Sequence, residues 1–112
     1  MRRIAFLVLG AGLVWAALVG GAGAADAEIT LAIEKNQFRP AEIKVKAGAP
    51  FVLVITNKDA TAEEFESKEL RIEKVIPAGK TVRVRVPALK AGTYGFVGEY
   101  HEKTARGRIV AE

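Results

Sequence analysis

Between Thr81 and Val86 the chain reads TVRVRV, an alternation that puts Val82, Val84 and Val86 on one side and Arg83 and Arg85 on the other. Only an extended strand separates neighbours in this way, because its side chains repeat every two residues. The same period runs through Glu28–Lys35, with Ile29, Leu31 and Ile33 opposed to Thr30, Ala32 and Glu34. A third alternation begins at Ile43 and Val45 and stops at Ala47-Gly48-Ala49-Pro50. Phe51–Asn57, FVLVITN, is almost wholly apolar and β-branched, the composition of a central strand. Leu70, Ile72 and Val75, then Tyr94–Val97, then Arg108–Ala111 complete the set, with Pro77-Ala78-Gly79 and Ala91-Gly92 as turns between them. After the first two dozen residues no stretch carries the 3.6-residue apolar rhythm over a helical length. These seven short strands predict an all-β Greek-key sandwich.

The first 24 residues do not belong to that pattern. Arg2 and Arg3 precede an apolar run, Ile4 to Val19, and Ala22 and Ala24 follow at the spacing a signal peptidase reads. Residues 1–24 are therefore expected to be a cleaved signal peptide and residues 25–112 a single domain exported to the periplasm. Without Arg2 and Arg3 the chain holds 15 basic and 13 acidic residues, so the balance is nearly neutral. Arg83 and Arg85 have no interleaved aromatics, and nothing here predicts nucleic-acid binding. The chain has no cysteine, so its stability must come from the core without a disulfide.

Chemistry concentrates in two places. Glu63, Glu64, Glu66, Glu69 and Glu73 are five of the thirteen acidic residues, all within the segment following Lys58–Ala62. If Glu64-Phe65-Glu66 is extended, both glutamates face the rim while Phe65 anchors the core. Carboxylates so close repel unless a cation lies between them, although a solvated acidic loop offset by Lys68, Arg71 and Lys74 is the plainer alternative. The second place is Glu99-Tyr100-His101-Glu102, which holds the only histidine in the chain. Carboxylate oxygen with one imidazole suits iron, Mn(II), Zn(II) or Cu(II) and suits Cu(I) poorly.

Several runs in order then resemble a bacterial cupredoxin. They are Phe38-Arg39-Pro40, Ile43-Lys44-Val45-Lys46-Ala47-Gly48 and Val54-Ile55-Thr56-Asn57 in the first half. In the second half they are Ile76-Pro77-Ala78-Gly79-Lys80, Leu89-Lys90-Ala91-Gly92-Thr93-Tyr94, the GEYH loop and Gly107-Arg108-Ile109-Val110. The resemblance covers essentially all of residues 25–112 and is to domains of the EfeO type, which accompany bacterial periplasmic iron-uptake systems. It implies a cupredoxin-like sandwich whose two loops meet at one end. It also implies that His101 matches the second histidine of a blue-copper site and that Glu63 or Glu64 stands in place of the first. Gly98 then takes the place of the cysteine, and Ala105 lies near that of the methionine. A type 1 copper centre is excluded, since it needs the thiolate.

The resemblance further implies a different metal site made of Glu64, Glu66, Glu99 and His101, with Glu63, Glu73 and Glu102 as supplementary ligands. The expected function is a periplasmic protein that binds iron or copper and serves a membrane iron permease or another component of metal uptake. A metal-free domain that docks a partner through its acidic rim is the alternative. An Fe(II) oxidase is a third reading, but no nucleophile–base pair is visible, so a non-enzymatic role is expected.

Overall fold

A computed structural model describes residues 25–112; the expected signal peptide lies outside the described residues. Nine short strands form two mixed sheets packed face to face, a cupredoxin-like fold. In chain order they are β1 (Ala27–Glu34), β2 (Gln37–Arg39), β3 (Glu42–Val45), β4 (Phe51–Asn57), β5 (Glu63–Ser67), β6 (Ile72–Ile76), β7 (Thr81–Val86), β8 (Gly92–Gly98) and β9 (Arg106–Ala111). One sheet has the order β2-β1-β4-β7 and the other β3-β9-β8-β5-β6. Each contains one parallel pair, β1 with β4 and β3 with β9.

The alternation read from the sequence sets which face is buried. Leu31 and Ile33 of β1 and Phe51, Leu53 and Ile55 of β4 point inward. They meet Ile43, Phe65, Phe96 and Ile109 of the facing sheet. Phe96 stacks near Phe38 and Phe65, with ring centroids 4.9 Å away in each case and an edge-on approach to Phe38. Such contacts add to the area these rings bury.

Two strands exceed the seven expected. β2 pairs with β1 across a tight turn in which Lys35 and Asn36 both have positive φ, at 55° and 58°. The Asp59 carboxylate accepts hydrogen bonds from both of their backbone N–H groups, at 2.8 and 2.9 Å. β5 falls in the polar stretch, yet it lies inside its sheet between β6 and β8. Asn57, fully buried at the end of β4, anchors its approach: the side-chain amide donates to the carbonyls of Thr61 and Ile76, each at 2.9 Å.

Candidate functional site

β5 and the turn after β8 carry the four expected ligands, with Glu73 on β6. Alternation along β5 turns Glu63, Phe65 and Ser67 toward the interior and Glu64 and Glu66 toward the outer surface of the five-stranded sheet. Phe65 lies opposite Gly98 and Glu66 opposite Val97 on β8. Past Gly98 the chain turns through a short 3₁₀ segment, Glu99–His101. The carbonyl of His101 accepts from the N–H groups of Thr104 and Ala105, and Gly98 N–H donates to the Ala105 carbonyl at 2.8 Å. This closed loop brings Glu99, Tyr100 and His101 over the start of β5.

The interior half of the site is a bonded pair. Glu63 is 1% exposed. Its Oε2 lies 2.7 Å from His101 Nδ1, and its Oε1 accepts from the backbone N–H groups of Glu64 and Tyr100, each at 2.9 Å. With the Glu63 oxygen accepting, the Nδ1–H of His101 is the donor of this pair. A carboxylate behind a histidine in this way is the usual support of a metal-binding imidazole.

Gly98 is required beside this pair. A Cβ there would fall 2.6 Å from Glu63 Cδ and 2.7 Å from both Glu63 Oε2 and the Ala105 methyl. A type 1 copper centre therefore does not fit these residues. No thiolate is available, and the Glu63 carboxylate fills the space a side chain at residue 98 would enter.

The outer half is crowded with like charge. Glu66 is 9% exposed, and its carboxyl has the carboxyl of Glu73 as a hydrogen-bond partner. Burial, then the charges of Glu99 and Glu73, push it above the usual carboxylate range, with Lys68 opposing. Glu73 is its cross-strand neighbour on β6. Glu99 is also raised, first by a hydrogen bond with the Glu64 carboxyl, then by burial and by the charges of Glu64 and Glu102. A groove of about 340 Å³ opens here, lined among others by Glu66, Lys68, Glu69, Glu99, Glu102 and Arg106.

Of the four residues expected to form a metal site, the fold thus brings Glu64, Glu66 and Glu99 together on the outer face. His101 is tied to Glu63 instead. Among the described residues no three His, Cys, Asp or Glu side chains are gathered as a ready-made metal shell. Glu63, expected as a supplementary ligand or as one of two candidates for the place of the first histidine, is the hub of the loop. Its odd spacing from Glu64 and Glu66 was the available signal, since it sets Glu63 on Phe65's face.

Fold and site together define a small β-sandwich of two mixed sheets that holds no cysteine. Residues 4–111 match the family of cupredoxin-like domains, and the chain belongs to that family. A Rickettsia prowazekii (strain Madrid E) protein of unassigned function is 34% identical over 83 residues, which are 74% of this chain and 66% of that protein's length. The chain thus spans just under two thirds of that relative.

Among solved structures, auracyanin A, a blue copper protein of Chloroflexus aurantiacus, superposes with a TM-score of 0.67 at 16% identity, covering 79% of this chain and all of that one. The metal-binding domain of a Streptococcus pneumoniae Cu(I)-exporting P-type ATPase gives 0.68 at 20% identity, over 76% and 84% of the two chains. A methionine-to-alanine mutant of amicyanin in its Cu(I) form gives 0.58 at 24% identity, over 81% and 88%. At these identities the likeness is one of fold.

Proposed function

We propose that this chain is an exported, non-enzymatic cation-binding protein of the EfeO type. In this reading it holds an iron or copper ion on the outer face of β5 and passes it to or from a membrane permease for iron. One observation carries the reading: Glu66, a residue nine-tenths buried, sets its carboxyl against those of Glu99 and Glu73. Burying an anion among anions is costly, and the arrangement is relieved when a cation enters. Glu64, Glu66 and Glu99 come from two separate segments, and a cation would draw their side chains inward. The oxygen-rich set favours iron or Mn(II) over Cu(I).

The test is calorimetric titration of the chelator-stripped chain with Mn(II), with Cu(II) and with Fe(II) under anaerobic conditions. One ion per chain is expected, with binding weakened about ten-fold or more by Glu66→Gln, the loss of one charged ligand. If no ion binds more tightly to the native chain than to Glu66→Gln, the reading is wrong. The filled Glu63–His101 position favours a second reading, a metal-free domain docking a basic partner on the same acidic face. That reading predicts salt-sensitive partner binding that added metal leaves unchanged.

A further inference from the structure

Copper in a blue-copper site joins ligands from two segments of one sandwich. The resemblance in sequence sets His101, Gly98 and Glu63 or Glu64 at the positions of such ligands, and in this chain Glu63 and His101 bond to each other there. Glu63 comes from β5, and its two oxygens join three groups: His101 Nδ1, the N–H of Tyr100 and its neighbour's N–H at Glu64. The first two belong to the turn after β8, 37 and 38 residues further along the chain. With the ladder pairs Phe65–Gly98 and Glu66–Val97, the Ser67–Gly95 bond and the Glu64–Glu99 contact, these bonds fasten β5 to β8 and the turn after it, and they are the ones that start from a fully buried side chain.

Gly98 records how closely the carboxylate is fitted, since even a methyl at that position would meet it at 2.6 Å. Tyr100, whose N–H is held, is half exposed and follows directly on Glu99. The same oxygen that accepts from Tyr100 accepts from Glu64, so one atom fixes the backbone under both partners of the Glu64–Glu99 contact.

We propose that the buried Glu63 carboxylate replaces a metal ion as the fastener of this end of the sandwich, and that it acts as a positioning residue holding Glu99 against Glu64 and Glu66. The positioning part rests on the cation-binding reading above; the fastening part does not. The pin makes the turn rigid in the absence of any ion. A cation arriving at the outer face then meets carboxylates whose backbone is already ordered, and only side chains must move. Pre-ordering of this kind raises affinity by lowering the entropy lost on binding.

The test compares the full-length chain with Glu63→Gln and Glu63→Ala by amide hydrogen exchange, by NMR of the His101 ring nitrogens and by Mn(II) titration. In Glu63→Ala the Tyr100 amide should exchange at least about 30-fold faster, the loss of a charge-assisted hydrogen bond, and should open locally, below the global stability that the Leu53 and Ile55 amides report in the same variant. Mn(II) affinity should fall about ten-fold. In Glu63→Gln the side-chain oxygen still accepts from Tyr100 and Glu64, and its amide NH₂ faces the ring. His101 should therefore move its proton from Nδ1 to Nε2, with Mn(II) affinity within about three-fold of native.

If Glu63→Ala does not fold, the tautomer reversal and the retained affinity in Glu63→Gln decide the matter. Unchanged Tyr100 exchange in a folded Glu63→Ala, or an unchanged tautomer in Glu63→Gln, overturns the fastener. Loss of Tyr100 protection with Mn(II) affinity intact overturns the positioning role. A native chain that binds no Mn(II) removes the cation reading and with it the positioning role, while the exchange and tautomer results still judge the fastener.

Discussion

Glu63 and Glu66 lie three residues apart on one strand, and the odd spacing sends them to opposite faces of it. Both are at least nine-tenths buried, yet their surroundings differ completely. Glu63 accepts from two backbone N–H groups and the His101 ring; Glu66 faces the carboxyls of Glu99 and Glu73, with the charge of Lys68 opposing theirs. Burial alone therefore says little about what a carboxylate does. With N–H donors it becomes part of the scaffold, and among other carboxyls it stores repulsion that a ligand can relieve.

The sharpest way to break this comparison is to remove the inner carboxylate. Glu63→Ala leaves two N–H groups and an imidazole without their acceptor in a closed interior, and we expect a loss of about 3 kcal/mol in folding stability. The partly exposed ring can turn to water, which keeps the figure from being larger. Urea denaturation followed by circular dichroism measures it. A loss below about 0.5 kcal/mol, the range of an ordinary surface substitution, would show that Glu63 is not a scaffold residue.

Next in size is Gly98. Gly98→Ala forces the new methyl against Glu63 Cδ and the Ala105 methyl, and about 1–3 kcal/mol of destabilisation is expected from overpacking. The pair Glu63→His with Gly98→Cys replaces the carboxylate and supplies, with His101, two imidazoles and a thiolate. That double variant should bind Cu(II) with a strong visible colour, whereas Gly98→Cys alone should not. Equal copper binding by both would mean that Glu63 does not bar the metal from this place.

The outer face behaves in the opposite sense. Glu66 is held above the ordinary carboxylate value of 4.5, so the folded state binds its proton more tightly than the unfolded state does. Its favourable contribution is present below 4.5 and is lost as pH rises through the raised folded value. Glu66→Gln should therefore stabilise the fold at neutral pH and flatten the stability profile in the window just above 4.5, while weakening cation binding. Melting temperatures at pH 4, 5, 6 and 7 check this. A variant less stable than the native chain at pH 7 would place Glu66 with Glu63, among the scaffold residues.

Much of this architecture is legible in the sequence, and the exceptions have physical causes. Val82, Val84 and Val86 declare their strand because apolar and charged residues alternate. β5 alternates just as strictly, but its inward residues are Glu63, Phe65 and Ser67, so two of the three read as polar. A buried glutamate can be recognised only with its donors, and here those are Tyr100 and His101, far along the chain. Ser67 is a second case: its hydroxyl donates to the Gly95 carbonyl at 2.7 Å, across the same strand gap. Likewise β2 owes its existence to Asp59 capping the turn at Lys35 and Asn36, a contact between distant segments. The rim placement of Glu64 and Glu66 opposite Phe65 followed from period two alone. Which glutamate His101 would choose did not.

The smallest effect is expected on the other sheet, where charges are paired in open solvent. Arg83 of β7 bonds the Glu28 carboxylate of β1, and that hydrogen bond, followed by the charge of Arg83, holds Glu28 below the usual carboxylate range. Both side chains are more than half exposed. Water and salt screen such a pair, so its bond shifts a titration far more than it stabilises a fold. Arg83→Ala should return Glu28 to the ordinary range, read from its side-chain carbon shifts against pH, and leave the melting temperature unchanged within error. The lowered value makes any contribution of the pair present above 4.5 and lost as pH falls, the reverse of Glu66. A melting temperature that dropped with Arg83→Ala as far as with Gly98→Ala would mean that carboxylates on this chain are ranked by something other than access to water.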